Sequence, residues 1–339
     1  MAKYTIKEIA ELAGVSIATV SRVINDSENV SEEMREKVQK VIKETGFTPN
    51  SLARSLKVNK TNTIGVIVVN LNVPFFAHIV HYLERALRSQ GYILMVACHH
   101  DQPDLERQCV EAMVEMQVEA IVITSTGSND DYLAKIFKSG IPVLMLDRHS
   151  RDQSVPAIIS DKKEGFYQLM VHLYELGHRK FTLVTGDRKI TSNHSRFLGI
   201  TNFLYDHNLP MDSVTCYYGE FSEEYGYEIA RKIFALPFEE RPTALLAGSS
   251  LIAIGVLMYC QEQNIKIPEQ LSLTSLGDSS YPSLIKPTLT YMDDLRKEMS
   301  QIAAEKISKI MSLDERQKGD IILPSRIIIG QSTGIPPKA

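Results

Sequence analysis

The chain has 339 residues, 44% hydrophobic and 23% charged, with 18 Gly, 14 Pro and a formal net charge of −4. At about 150 residues per domain this length holds two or three globular units, enough to bury a core without disulfide or metal staples, and the near-average composition excludes collagenous, fibrous and disordered chains. No apolar run approaches the roughly 18 residues of a membrane helix, and the charged start MAKYTIKEIAELAGVS lacks the apolar core of a signal peptide, so neither membrane insertion nor export is expected.

The first 60 residues carry a net +2 and the remainder −6, so contact with nucleic acid is expected through the head alone. Residues 5–25, TIKEIAELAGVSIATVSRVIN, read as two short helices. The first runs from Ile6 to Ala13, Gly14 makes the turn, and Ser16 caps a second helix reaching Asn25. Ala10, Val15 and Val20 are small or branched residues suited to a steep helix crossing. This is a helix-turn-helix pattern, and the N-terminal half of such a second helix enters the DNA major groove. Arg22 has the geometry for a bidentate pair with guanine, and Ile17 and Ala18 suit thymine methyls. Ser16, Thr19 and Ser21 are hydroxyls suited to phosphate oxygens, and Thr5 and Asn25 complete this face. The competing reading is a plain helical hairpin with a solvated Arg22. A third helix should start at Ser31 and close at Gly46. Beyond it, residues 50–57 form a segment too short to hold a helix unaided. Asn50, Ala53, Arg54 and Leu56 are its DNA-facing candidates, with Leu56 placed to wedge between base steps from the minor groove. The bland alternative for this segment is a linker.

From residue 62 the texture changes to short aliphatic runs alternating with amphipathic stretches. IGVIVVN (64–70), YILMVAC (92–98), AIVITS (120–125) and VLMLD (143–147) form one set. FTLVTG (181–186), VTCYY (214–218), TALLAG (243–248) and LSLTSL (271–276) form a second. Such alternation predicts parallel sheets covered by helices on both faces. A further helix over 292–311 and strand-like pieces around Pro324 complete the pattern. The expected organisation is a DNA-binding domain at 1–49, a hinge at 50–61 and a core at 62–339. The core divides into lobe 1 (about 62–160 and 292–323) and lobe 2 (about 161–291 and 324–332).

Ligands bind beyond the carboxyl ends of the strands in such sheets. Candidates there are Asn70, Asn72, Phe75, Phe76, Ser125, Asp147, Arg148, Asp161, Arg196, Phe221 and Asp278. Arg148 and Arg196 with Asp278, Asn72 and Phe221 supply the bidentate donors, acceptors and aromatic platform that a sugar needs. Two arginines near Lys189 and His194 also suit a phosphorylated sugar; the alternative for Arg148 is a pair with a surface carboxylate. His99-His100 with Asp101 reads as a solvated loop in preference to a metal site, so no metal and no cofactor are expected. The four cysteines form no C-x-x-C pair and read as core thiols of a reducing compartment, the cytoplasm. No nucleophile elbow, Walker A loop or dinucleotide fingerprint is present, which argues against an enzyme.

TIKEIAELAGVSIATVSRVIN, followed by VSEEMREKV, GFTPN, ARSL and TNTIGVIVVN, resembles the LacI/GalR family of bacterial transcription regulators. The resemblance covers essentially the full chain. It implies a small all-α helix-turn-helix DNA-binding head joined to an α/β two-lobed periplasmic-binding-protein-like core with parallel sheets. It also implies a homodimer, or a tetramer, on palindromic operator DNA, controlled by a small effector held between the lobes. The resemblance places Ser16, Ile17, Ala18 and Arg22 at the family's DNA-reading positions, Leu56 at its intercalating leucine and Ala53 at its small hinge residue. It likewise places Arg196 at the arginine that grips the effector, Phe221 at a stacking ring and Asp278 at an acidic ligand contact, with the register at Asp278 open by one residue. Within the family, DQPD (101–104), LDR (146–148) and GD (277–278) resemble the branch of fructose and sucrose-operon repressors, whereas the ARSLK hinge resembles the purine-repressor type. No leucine heptads follow Ile335, which favours a dimer. The other classes weighed are a sugar-binding or transport protein, disfavoured by the head, and a two-lobed enzyme acting on a sugar phosphate.

Overall fold

The computed structural model describes residues 4–24, 29–47, 61–151, 153–277, 284–312 and 319–338. The chain divides into two compact units, Met1–Thr61 and Asn62–Ala339.

In the first unit, α1 (Ile6–Ala13), α2 (Ile17–Ile24) and α3 (Glu32–Thr45) pack around Ile9, Ala10, Val20, Val23 and Val38. Helices of eight residues do not persist alone in water, so this shared apolar contact and the caps hold them. Thr5 closes the start of α1 with a reciprocal cap: its Oγ1 accepts the Glu8 N–H at 3.3 Å, and the Glu8 carboxylate accepts the Thr5 N–H at 2.6 Å. Gly14 ends α1 at φ +65°, a left-handed turn that favours glycine. Ser16 opens α2 by accepting the Thr19 N–H at 3.1 Å.

The second unit contains, among its described residues, two six-stranded sheets. The first has the strand order β11-β5-β4-β3-β1-β2. Its members are β1 (Thr63–Val68), β2 (Ile93–Cys98), β3 (Ala120–Ile123), β4 (Val143–Leu146), β5 (Ala157–Ser160) and β11 (Ile321–Leu323). The second, ordered β12-β10-β9-β8-β6-β7, uses β6 (Phe181–Thr185), β7 (Val214–Tyr218), β8 (Ala244–Ala247), β9 (Ser272–Leu276), β10 (Thr290–Met292) and β12 (Ile327–Ile328). All pairings are parallel except β10 with β12. The aliphatic runs are explained by burial on both faces. In β1, Ile64, Val66 and Val68 face α4 (Pro74–Arg88) and α11 (Arg296–Met311), while Ile67 faces α5 (Pro103–Glu115) and α6 (Asp130–Lys138). In the second sheet, Val184 and Leu245 face α9 (Glu223–Phe234) and α10 (Ser250–Glu262). Leu183 and Leu246 face α7 (Lys162–Glu175) and α8 (Thr191–Asp206).

The chain passes between the sheets three times: from β5 into α7, from β10 into α11, and from β11 into β12. Strands β5 and β10 were not anticipated from the sequence, and the last helix, expected from residue 292, begins only at Arg296, after β10 ends at Met292.

Candidate functional site

On the head, the cap at Ser16 fixes where α2 begins and so which residues face outward. Ser16, Ile17, Ala18 and Arg22 are exposed, with Ile17 at 48%, while Thr19 and Ser21 are half-buried. An exposed isoleucine beside an exposed arginine, with Val20 and Val23 turned into the core, is a surface of mixed chemistry suited to base edges. Thr5 and Thr19 are already engaged locally, Thr5 in its cap and Thr19 with the Ser16 hydroxyl at 2.9 Å. Asn25, Asn50, Ala53, Arg54 and Leu56 lie outside the described residues.

In the core, the carboxyl ends of both sheets open onto one cleft of about 980 Å³. The cleft brings together Asn70, Asn72, Phe75, Phe76, Asp147, Arg148, Arg196 and Phe221 of the expected set. Asp278 lies outside the described residues. Ser125 and Asp161 do not line the cleft. The Ser125 hydroxyl donates to buried Glu106 at 3.0 Å, and Asp161 caps α7 by accepting the Glu164 N–H. Ser125 therefore contributes through its carbonyl, which accepts from Arg148 at 3.0 Å.

Arg148 is 4% exposed and held by Asp101 in two contacts, 2.5 and 3.2 Å. Its partner is a half-buried carboxylate on the cleft wall, which departs from the surface pairing considered from sequence. Asp101 reaches it through a strained turn, in which His100 and Asp101 have φ of +51° and +55°. His99 anchors that turn. It is fully buried, its Nε2 faces the Thr124 carbonyl at 2.8 Å, and its Nδ1 accepts the Asp101 N–H at 3.1 Å. That network assigns the neutral Nε2–H tautomer, and burial pushes the imidazole pKa down. The solvated-loop reading thus fails for His99 and holds for exposed His100. Among the described residues no cluster of three metal-ligating side chains occurs.

Asp147, at φ +65°, accepts from the Lys162 ammonium at 2.7 Å, and both groups are buried. Burial pushes Lys162 down, opposed by Asp147; burial alone would raise Asp147, but Lys162 holds it below the usual carboxylate range. At the lobe junction, Asp294 accepts from Arg296 Nε at 2.7 Å, and Arg296 Nη1 donates to His78 Nδ1 at 2.7 Å. Both Asp294 and Arg296 line the cleft, and burial raises the Asp294 carboxyl. Arg196, 5% exposed on α8, donates to Thr185 Oγ1 at 3.1 Å and to Asn193 Oδ1, with its guanidinium 5.3 Å from the Phe221 ring. Burial lowers its pKa to about 10.

Sequence reasoning missed Asp101, Asp294 and Arg296 as site residues. Asp101 carried a usable signal, since DQPD directly follows a strand and opens a helix. Asp294 carried none, because residues from 292 on were read as helix, whereas the helix starts at Arg296.

A small helical head with an exposed, base-compatible second helix, joined in one chain to a two-lobed core with a polar cleft, defines a ligand-responsive DNA-binding protein. Residues 61–329 match the model of periplasmic binding proteins and the sugar-binding domain of the LacI family, and residues 5–50 match that of bacterial regulatory proteins of the lacI family. The chain belongs to the LacI family of transcriptional regulators, with an effector-binding core, and is not an enzyme. It is 28% identical over 330 residues to the HTH-type transcriptional repressor PurR of Mannheimia succiniciproducens, covering 97% of this chain and 98% of that one. It is 27% identical over 330 residues to catabolite control protein A of Priestia megaterium, covering 97% and 99%. In fold it is similar to a lac repressor dimer bound to operator and an anti-inducer, with a TM-score of 0.85 at 24% identity, covering 98% of this chain and all of that one.

Proposed function

We propose that this regulator is a repressor of carbohydrate-metabolism genes, acting in the cytoplasm as a homodimer on palindromic operator DNA and controlled by a sugar or sugar phosphate related to fructose or sucrose. The observation that carries the sugar reading is the composition of the cleft wall. Arg148, Arg196 and Asn72 offer donors and Asp294 an acceptor around the rings of Phe75 and Phe221. That is the polar fringe and aromatic platform a polyol requires. The head acts through Ser16, Ile17, Ala18 and Arg22, with residues 50–57 as the minor-groove element. Coupling follows from linkage: the effector favours one lobe arrangement and the operator another, so each changes the other's affinity by the same factor.

A second reading, a nucleobase effector, is favoured by the similarity to PurR and by the same aromatic rings. Fluorescence anisotropy on short palindromic duplexes with a central CG step, at fixed salt, separates the two readings. Salt is held because phosphate contacts make affinity steeply salt-dependent. A shift of operator affinity by fructose 1-phosphate, fructose 6-phosphate, fructose or sucrose supports the first reading. A shift by adenine or guanine alone replaces it with the second.

A further inference from the structure

The three passages that join the lobes are bonded to one another along their backbones. The Asp161 N–H of the first donates to the Leu323 carbonyl of the third at 2.9 Å, and the Ser325 hydroxyl donates to the Asp161 carbonyl. The Asp293 N–H of the second donates to the Arg326 carbonyl at 2.8 Å. The third passage is thus tied to both of the others. A strip of adjoining segments fixes the spacing of two bodies but leaves the angle between them open, unless a contact away from the strip sets it.

Lys162 makes such a contact. It is the first residue of α7, which packs in lobe 2 on Leu183 and Leu246, yet its ammonium reaches back to lobe 1. An ammonium has three donors, and the structure gives it three acceptors, all in lobe 1. They are Asp147 Oδ1 at 2.7 Å and the Asp147 carbonyl at 3.4 Å, just past the end of β4, and Ser160 Oγ at 3.0 Å, the last residue of β5. The lysine side chain is 3% exposed. Arg148 and Arg196 act on Asp147 at longer range, as do Arg196 and Asp294 of the second passage on Lys162. A buried ion pair of this kind adds little stability beyond that of matched apolar residues; what it adds is a defined geometry. The backbone of Asp147 sits in the left-handed region at φ +65°, a conformation that aspartate tolerates better than most residues.

We propose that Lys162 is a latch between the lobes: by tying the start of α7 to the carboxyl ends of β4 and β5, it holds the lobes at one angle. Releasing it lets the strip of passages flex while each lobe stays folded. Asp147 also lines the cleft, so a ligand seated there stands beside the latch. The proposal rests on the effector-binding core and not on the sugar reading, and it holds whichever effector the cleft takes.

Hydrogen–deuterium exchange of the full chain at neutral pH, read by mass spectrometry, tests the latch without any ligand. Lys162→Met is compared with wild type, and so is a double variant, Lys162→Met with Asp147→Asn, which leaves no stranded carboxylate. In each, peptides holding the Asp161 and Asp293 amides are expected to exchange faster by about tenfold or more, while peptides from β1 and β8 keep their wild-type rates. If only the double variant folds, it carries the comparison. Unchanged rates at the passages overturn the proposal. Faster exchange spread equally through both sheets also overturns it, because that pattern marks an ordinary core contact. Failure of both variants to fold does the same, since a latch is not needed to build either lobe.

Discussion

The Arg148–Asp101 pair is lopsided: the arginine side chain is 5% exposed and the aspartate 31%. Removing each partner should therefore differ in effect. Asp101→Ala strands a buried guanidinium and is expected to cost about 3–5 kcal/mol. Arg148→Met leaves a carboxylate that water can still reach, and about 1–2 kcal/mol is expected, nearer the surface-pair range. Urea denaturation of both variants checks the order, and equal losses would contradict it. On the head, Arg22 is exposed on α2 with no carboxylate of its own element beside it. Arg22→Ala is expected to reduce discrimination at one operator base pair by about 1–3 kcal/mol. Competition anisotropy against single-base operator variants measures this, and an unchanged preference at every position removes Arg22 from base reading.

At the scale of elements, lobe 2 packs its helices unusually close. A Cβ on Gly255 of α10 would collide with the carbonyl oxygen of Glu223, the first residue of α9. Gly255→Ala is expected to destabilise the core by about 2 kcal/mol, since the clash outweighs the helix propensity gained. A lower urea midpoint at unchanged m-value confirms it. The bounds of α1 were legible to the residue, because its cap residue Thr5 and its closing Gly14 flank it directly. The aliphatic strands were legible too, including four-residue β3, β4 and β8, as runs buried on both faces leave a continuous signal. Strand β5, AIIS, was not, since no helix separates it from β4, and strand β10, TYM, was not, since its last residue was read as the start of the final helix. The cleft followed the same division. Arg196 and Phe221 sit beside elements whose starts can be read, whereas Asp294 follows a three-residue strand held between β9 and β12. Burial of His99 escaped because the histidine turns inward only through a left-handed turn at the two residues after it.

For the molecule as a whole, acid sensitivity follows chiefly from two fully buried imidazoles, with half-buried His78 and His172, also lowered by burial, acting in the same direction. His99 is fully buried, and so is His178, which bonds Thr243 at 2.8 Å and Ser272 at 3.0 Å. Burial lowers both pKa values from 6.5 in the folded chain. Below pH 6.5 the unfolded chain takes up protons that the folded chain refuses, so stability is complete above that pH and declines as pH falls further. Asp294, raised by burial above 3.8, works in the opposite direction as it protonates. The Tm is expected to fall between pH 7 and about pH 5. The double variant His99→Gln, His178→Asn is expected to have a flatter profile in this window, and an equally steep one would refute the assignment.

The three passages between the sheets also bear on how the protein is made. Strand β5 ends at Ser160, yet the neighbour that completes its sheet, β11, is Ile321–Leu323. With synthesis at about 5–20 residues per second, that edge waits on the order of ten seconds for its partner. During that interval Ile158 and Ile159 present unpaired backbone on an open edge, a template for another nascent chain. The connectivity that lets two lobes share one cleft thus leaves one sheet edge of the nascent chain open until its last strands emerge.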